Sequence, residues 1–385
     1  MYRITWVVKA SKLCDLRCRY CYEWDELGDP ARIALPDWRR ILDAARAYHA
    51  LAERRLGAPI ETRIVWHGGE PLLLPEAYVR SVLALEREIF GDAALERGEV
   101  VNVVQTNLYA LSDEKIEMLR EGAFVVGVSM DYAGGVRLSR SGGPTEVRVA
   151  ANLDRLRAAG IAPGAITVLA RHTAPHLLRI HDFFEALEMP FRVLPLFPAP
   201  LNTQDAPFAL TAPEMVKALN GLFVHWLDRG CGIPVDPLRE YLRSALMKMT
   251  SLSRAPFSRR THGDAVLLVN TDGALYQVID AYDRDRSLGN VFRQHLDEIL
   301  SSRAYADSLD RSDALFAEHC GPCPFRGPCN GAPVFESALA NPAGGRCSIA
   351  YDVQSFIERH LREAGLDEAE LVRLLPEAVA ESLVI

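Results

Sequence analysis

Six short apolar runs, each followed by a longer stretch of helical periodicity, fill the first 225 or so residues. This alternation limits the fold more than any other feature of the chain. The runs are 3–10, 62–67, 100–106, 124–130, 165–170 and 191–197. Their length and bounding punctuation make them strands. Helix candidates lie between them at 36–56, 76–90, 112–121, 145–159 and 174–188. In the first, Trp38, Ile41, Leu42, Ala45 and Tyr48 recur at helical intervals and Gly57 follows as a stop. Six strand–helix units imply an α/β fold, a parallel sheet with helices outside and reactive groups at the carboxyl ends of the strands. Periodicity alone leaves a partial barrel and a flat doubly wound sheet both open.

Further along, helix-like stretches at 212–228 and 237–249 lead away from this unit. A hairpin is expected from 265–270 and 274–279, turned by Thr271-Asp272-Gly273. A Cys/Gly/Pro-rich region comes next, and 352–385 reads as helical with a break near Gly365. The expected division is 1–225, a helical connector 226–254, a small Cys-rich α+β domain 255–350, and carboxyl-terminal helices 351–385. The sequence carries no internal repeat and no low-complexity tract.

The chain's 385 residues allow a large core and roughly two domains. Hydrophobic content of 49% and charge of 24% describe an ordinary globular protein. A formal charge of −8 with no long Lys/Arg block argues against nucleic-acid binding. The opening MYRITWVVKASKL is too short and too quickly interrupted for a signal peptide or a membrane span. Eight cysteines without an export signal point to a reducing cytoplasm, where thiols serve metals or redox chemistry.

Cys14, Cys18 and Cys21 stand in C-x3-C-x2-C spacing just past the first strand. Soft thiolates at this spacing select an iron–sulfur centre. Zinc usually takes four ligands in paired form, and no His or fourth Cys follows Cys21 closely. A disulfide framework belongs to short secreted chains. Three ligands for a [4Fe–4S] cluster leave one iron open. Four more cysteines, Cys320, Cys323, Cys329 and Cys347, suit either a second [4Fe–4S] cluster or a zinc knot. Cys231 is left over and reads as a packed thiol.

The triad and its flanks resemble the radical SAM superfamily, in which the open iron holds the amino and carboxylate groups of S-adenosylmethionine. The resemblance implies a six-stranded partial (β/α) barrel. His67-Gly68-Gly69-Glu70-Pro71 is similar to the stretch that holds the methionine amino group, with Glu70 and the Gly69 backbone inheriting that role and His67 structural. Glycines such as Gly68 and Gly69 at a strand end permit close backbone approach to a ligand. Gln105-Thr106-Asn107 and Ser129-Met130-Asp131 end the third and fourth strands, where Thr106, Asn107, Ser129 and Asp131 would meet the ribose hydroxyls and carboxylate. The run Arg137 to Thr145 is similar to the family's Arg-x3-Ser-Gly-x2-Thr, with Arg137 pairing the carboxylate. The match departs at Tyr132, where relatives commonly carry Gly. Tyr20 resembles the aromatic beside adenine.

The segment 269–276 and Leu288-Gly289-Asn290-Val291 resemble the SPASM domain that follows such barrels in peptide and protein maturases. One of its ligand groups is intact here, implying one auxiliary [4Fe–4S] cluster. The other is absent: Arg260, Val278 and Pro333 stand where its cysteines are expected. The resemblance implies that one electron from a flavodoxin- or ferredoxin-like donor leads to a 5′-deoxyadenosyl radical, which removes hydrogen from the substrate. Asp280 is a candidate for taking a proton. The leading expectation is oxidative crosslinking of a ribosomally made peptide. A sulfatase-type maturase oxidising Ser or Cys is one alternative, and radical oxidation or rearrangement of a sugar or nucleoside another. A non-catalytic zinc- or cluster-bearing scaffold is the reading from a different class. With 13 residues before Cys14, no amino-terminal leader-binding domain is expected, so a peptide would need a separate recognition protein or a grip by the barrel mouth and carboxyl-terminal helices.

Overall fold

The strand opening the chain, β1 (Tyr2–Ser11), is the axis on which both halves of the molecule are built. The computed structural model describes residues 2–133, 135–196, 204–250, 266–277, 283–329, 331, 346–347, 349–367 and 369–372. On one side, β1 pairs in parallel with β3 (Ile60–Gly68), followed in order by β4 (Val100–Thr106), β5 (Val125–Ser129), β7 (Gly164–Leu169), β8 (Phe191–Pro195) and the short β9 (Val235–Asp236). Two small strands, β2 (Leu16–Cys18) and β6 (Arg137–Ser139), pair with each other outside this sheet.

The barrel strands lie in chain order with no reversal. A doubly wound sheet reverses its order at a switch point, so this sheet is singly wound and its right-handed crossovers all fall on one face. Those crossovers carry α1 (Leu35–Leu56), α2 (Glu76–Phe90), the short α3 (Asp92–Glu96), α4 (Asp113–Glu121), α5 (Glu146–Ala158) and α6 (Leu177–Ala186). Buried on both faces, β3 and β4 are almost continuously apolar or enclosed, as parallel strands require. Trp38 of α1 stacks on Trp66 of β3 at 4.6 Å, and both rings are fully buried. Burying one such ring stabilises the packing by on the order of 2–3 kcal/mol.

On its other side β1 pairs in parallel with β10 (Val266–Val269), joining Thr5 to Val266 and Val8 to Val269. The hairpin partner β11 (Ala274–Gln277) and then β12 (Gly289–Asn290) complete a ten-stranded sheet. The expected hairpin thus forms, but on the edge of the barrel sheet. Helices α7 (Ala212–Asp228) and α8 (Leu238–Met249) follow the barrel, and α9 (Leu296–Leu300) and α10 (Arg303–Cys320) follow the hairpin. Helix α11 (Ala350–Glu363) returns to pack on α7 and α8, where Phe223 meets Phe356 at 6.4 Å and Lys248 pairs with Glu358. One apolar cluster therefore runs from the barrel into the hairpin and α11. Among the described residues no helix is long and apolar enough to cross a membrane.

Candidate functional site

The loop carrying the first three cysteines is held down from several directions. Lys9 pairs with Glu23, Lys12 Nζ lies 2.6 Å from Glu26 Oε2, and Ile33 N donates to Ala10 O at 3.1 Å. The strand β2 sets Cys18 directly opposite Arg137 of β6. Underneath lie the two glycines at the end of β3. A Cβ on Gly69 would stand 2.3 Å from the carbonyl oxygens of Lys12 and Leu13, and one on Gly68, at φ +123°, would stand 2.0 Å from that of Ser11. The close backbone approach expected of these glycines is thus made to the chain's own cysteine loop, stitched by Gly69 N to Ser11 O (2.9 Å) and Glu70 N to Leu13 O (2.8 Å).

The three thiols share this enclosure and interact electrostatically, Cys18 with both Cys14 and Cys21. Burial pushes the thiols of Cys14 and Cys21 up to about 12. Cys18 is raised by the same cause, while the Arg137 guanidinium opposes the rise. As thiolates they need a bound cation to offset that burial. The Cys14 sulfur already accepts from Leu16 N at 3.4 Å and faces Asn107 Nδ2 at 3.8 Å. An all-sulfur set of three, with donors aimed at one sulfur, suits an iron–sulfur cluster rather than an oxygen-seeking ion.

Glu70, the carboxylate expected to meet an ammonium, is committed within the chain. Its Oε1 accepts from Leu72 N (2.8 Å) and Thr106 Oγ1 (2.7 Å), and its Oε2 from Asn107 N (2.6 Å). Burial raises this carboxyl to about 7 against those three bonds. Asn107 Nδ2 also reaches Asp15 Oδ1 at 2.9 Å. Glu70, Thr106 and Asn107 thus tie the ends of β3 and β4 to the cysteine loop. Gln105 Nε2 bonds Ser129 Oγ at 2.6 Å and joins β4 to β5 in the same way.

Tyr20, Asp131 and Arg137 come together as one network. The Tyr20 hydroxyl donates to Asp131 Oδ2 at 2.6 Å and accepts from Arg137 Nη1 at 2.8 Å. Asp131 Oδ1 accepts from Val168 N at 3.1 Å. Burial works against the Asp131 charge, yet the His172 hydrogen bond, the Arg137 charge and the Tyr20 hydroxyl together hold its carboxyl below the usual range. Sequence reasoning missed His172. Its Nε2 lies 3.3 Å from Asp131 Oδ2, and its ring stacks on Tyr20 at 5.2 Å. The available signal was position, because His172 sits three residues past the end of β7 on the same rim. Phe208 closes the wall, edge-on to His172 at 5.7 Å.

The late cysteines also converge. Cys320 ends α10, and its thiol, pushed up to about 12 chiefly by burial, feels the other three. Cys323 N donates to Cys320 O at 3.1 Å, Gly331 N to Cys329 Sγ at 3.3 Å, and Gln354 Nε2 of α11 approaches Cys329 Sγ at 3.7 Å. Cys347 is raised by burial, while backbone N–H groups of Tyr351, Ala350 and Ile349 at the start of α11 favour its thiolate. Four sulfurs with N–H donors turned toward them fit a fully ligated metal centre. Cys231 packs against the main core, as its reading as a packed thiol requires. Asp280, with Arg260, Val278 and Pro333, lies outside the described residues.

Comparison with known proteins places these features in context. Residues 8–184 match the model of the Radical SAM superfamily. The serine-type anaerobic sulfatase-maturating enzyme of Bacteroides thetaiotaomicron is 22% identical over 352 residues, covering 84% of this chain and 81% of that protein. The cysteine-type anaerobic sulfatase-maturating enzyme of Clostridium novyi is 22% identical over 317 residues, covering 79% and 80%. Among solved structures, native anSMEcpe with bound AdoMet and Kp18Cys peptide superposes with a TM-score of 0.71 at 18% identity, over 97% of this chain and 99% of that one. Streptococcus suis SuiB bound to S-adenosylmethionine gives a TM-score of 0.59 at 15% identity, over 86% and 72%. At these identities the structural likenesses speak for the fold.

Proposed function

We propose that this chain, whose residues 8–184 are a radical SAM domain, oxidises a serine or cysteine side chain of a sulfatase-type protein substrate. The observation carrying this reading is the span of the similarity to sulfatase-maturating enzymes, about four-fifths of each chain and well past the radical domain. Peptide crosslinking, the leading expectation from sequence, has weaker support: the SuiB likeness is lower and covers less of its partner. The broader reading, a radical SAM maturase, is common to both.

In this reading Cys14, Cys18 and Cys21 would hold a [4Fe–4S] cluster that binds S-adenosylmethionine. Together they supply the hydrogen-abstracting radical. The chain supplies position. Gly68 and Gly69 let the cysteine loop seat on β3, and Glu70, Thr106 and Asn107 lock that seat. Arg137 places positive charge beside Cys18, favouring the thiolate. The Tyr20–Asp131–His172 wall orients the nucleoside end of the cofactor and keeps water from the rim. Cys320, Cys323, Cys329 and Cys347 would hold one auxiliary [4Fe–4S] cluster, which would supply one-electron redox chemistry. Asp280 is the proposed proton acceptor, and a flavodoxin- or ferredoxin-like protein the electron donor.

The test is anaerobic incubation of the reconstituted protein with S-adenosylmethionine, reductant and a serine-containing sulfatase peptide. Removing two hydrogens from CH2–OH gives an aldehyde, so the expected product is lighter by about 2 Da and reacts with a hydrazine. A product of that mass inert to hydrazine would favour a crosslink. 5′-Deoxyadenosine without any altered peptide would refute the substrate class.

A further inference from the structure

We propose that His181 and Asp182 of α6 and His225 of α7 form a divalent-cation site that takes zinc and clamps these two helices together. The site shares no residue with either cysteine set. His181 is fully buried, and neither ring nitrogen has a hydrogen-bond partner. Leaving such a group unpaired is costly, so an enclosed imidazole of this kind calls for a ligand. Its Nδ1 lies 3.6 Å from Asp182 Oδ1, longer than a hydrogen bond. On the other side His225 Nε2 stands 2.7 Å from the same carboxylate oxygen. One ligand atom from each residue lies within 4.8 Å of the other two, and the imidazole planes cross at 86°.

Two imidazoles and a carboxylate form a borderline-soft N/O set, which suits zinc better than magnesium or calcium. Zinc bonds of about 2.0–2.1 Å in tetrahedral geometry separate ligand atoms by roughly 3.3 Å. Two of the three separations, 2.7 and 3.6 Å, bracket that spacing, and the third is within 4.8 Å, so side-chain rotation would bring the set to it. Asp182 is half-exposed, so the fourth position opens toward water. The competing cation is Arg229, whose Nε lies 3.6 Å from Asp182 Oδ1 and which also pairs with Glu185. Zinc would take Asp182 and leave Arg229 to Glu185.

The experiment uses the full chain with its iron–sulfur clusters reconstituted, washed with a mild chelator and titrated with zinc. One zinc per chain should be retained beyond the iron, with an X-ray absorption shell of nitrogen and oxygen at about 2.0–2.1 Å. Zinc should raise the melting temperature of the wild type and leave that of His225→Gln unchanged. His225→Gln and Asp182→Asn should each weaken binding at least about tenfold, whereas Arg229→Ala should strengthen it severalfold. No retained zinc, a sulfur shell near ~2.3 Å, or equal affinity in His225→Gln would overturn the proposal.

Discussion

Gly69 shows how much one missing side chain can decide. Adding a methyl group there puts a carbon 2.3 Å from two carbonyl oxygens of the cysteine loop, and backbone cannot swing aside as a side chain can. Gly69→Ala should therefore lift the loop while sparing the barrel beneath it. Far-UV circular dichroism should be unchanged, iron content should fall by roughly half, and 5′-deoxyadenosine formation should drop about 100-fold or more, as angstrom-scale misplacement of reacting groups does. Full iron loading in this variant would show that the loop does not depend on the glycine. The cysteines themselves were legible in the sequence because their chemistry lies in residue type and spacing. The bonds of Glu70 were not. Its partners Thr106 and Asn107 are some 36 residues away and become neighbours only when β3 and β4 pair. His172 escaped for the same reason, since nothing near it in sequence announces Tyr20 or Asp131.

At the scale of elements, alternating periodicity located the barrel strands within a residue or two, but neighbour order came only with the fold. The parallel pairing of β10 with β1 spans more than 250 residues, and no local pattern encodes it. A buried polar chain between α2 and the sheet makes this packing measurable. Trp66 Nε1 donates to Asn102 Oδ1 at 2.9 Å, and Asn102 Nδ2 donates to Glu86 Oε1 at 2.6 Å. Burial raises the Glu86 carboxyl from 4.5 to about 7, against the Asn102 bond. Between those values the folded protein holds a proton that the unfolded chain has released. Stability contributed by the neutral acid is thus fully present below 4.5 and is lost as pH climbs toward 7. Glu86→Gln keeps an acceptor for Asn102 but cannot titrate. Denaturant melts should give wild type and variant similar stability in mild acid, with the variant ahead by about 2–3 kcal/mol above neutrality. A gap that does not change with pH would mean that the Glu86 carboxyl titrates in the fold as it does in the unfolded chain.

For the molecule as a whole, the question is whether the two cysteine sets act as one device. Both rest on a shared framework: β10 continues the barrel sheet, and α11 carries the donors beside Cys329 and Cys347 while packing on α7 and α8. The carboxyl-terminal set is thereby built onto the same framework that carries the rim. Cys323 lies on the loop after α10 and takes no part in the bonds that seat Cys14, Cys18 and Cys21. Cys323→Ala should lower iron by roughly half and leave S-adenosylmethionine cleavage within about twofold of wild type. The oxidised peptide should fall by more than about tenfold, because a substrate radical left without an acceptor would take one electron from the excess reductant and one proton from water and return to starting material. Cleavage without product would mark the late cluster as the electron's destination. Product and cleavage falling together would reduce it to a structural staple, and unchanged iron would mean that these four cysteines hold no cluster at all.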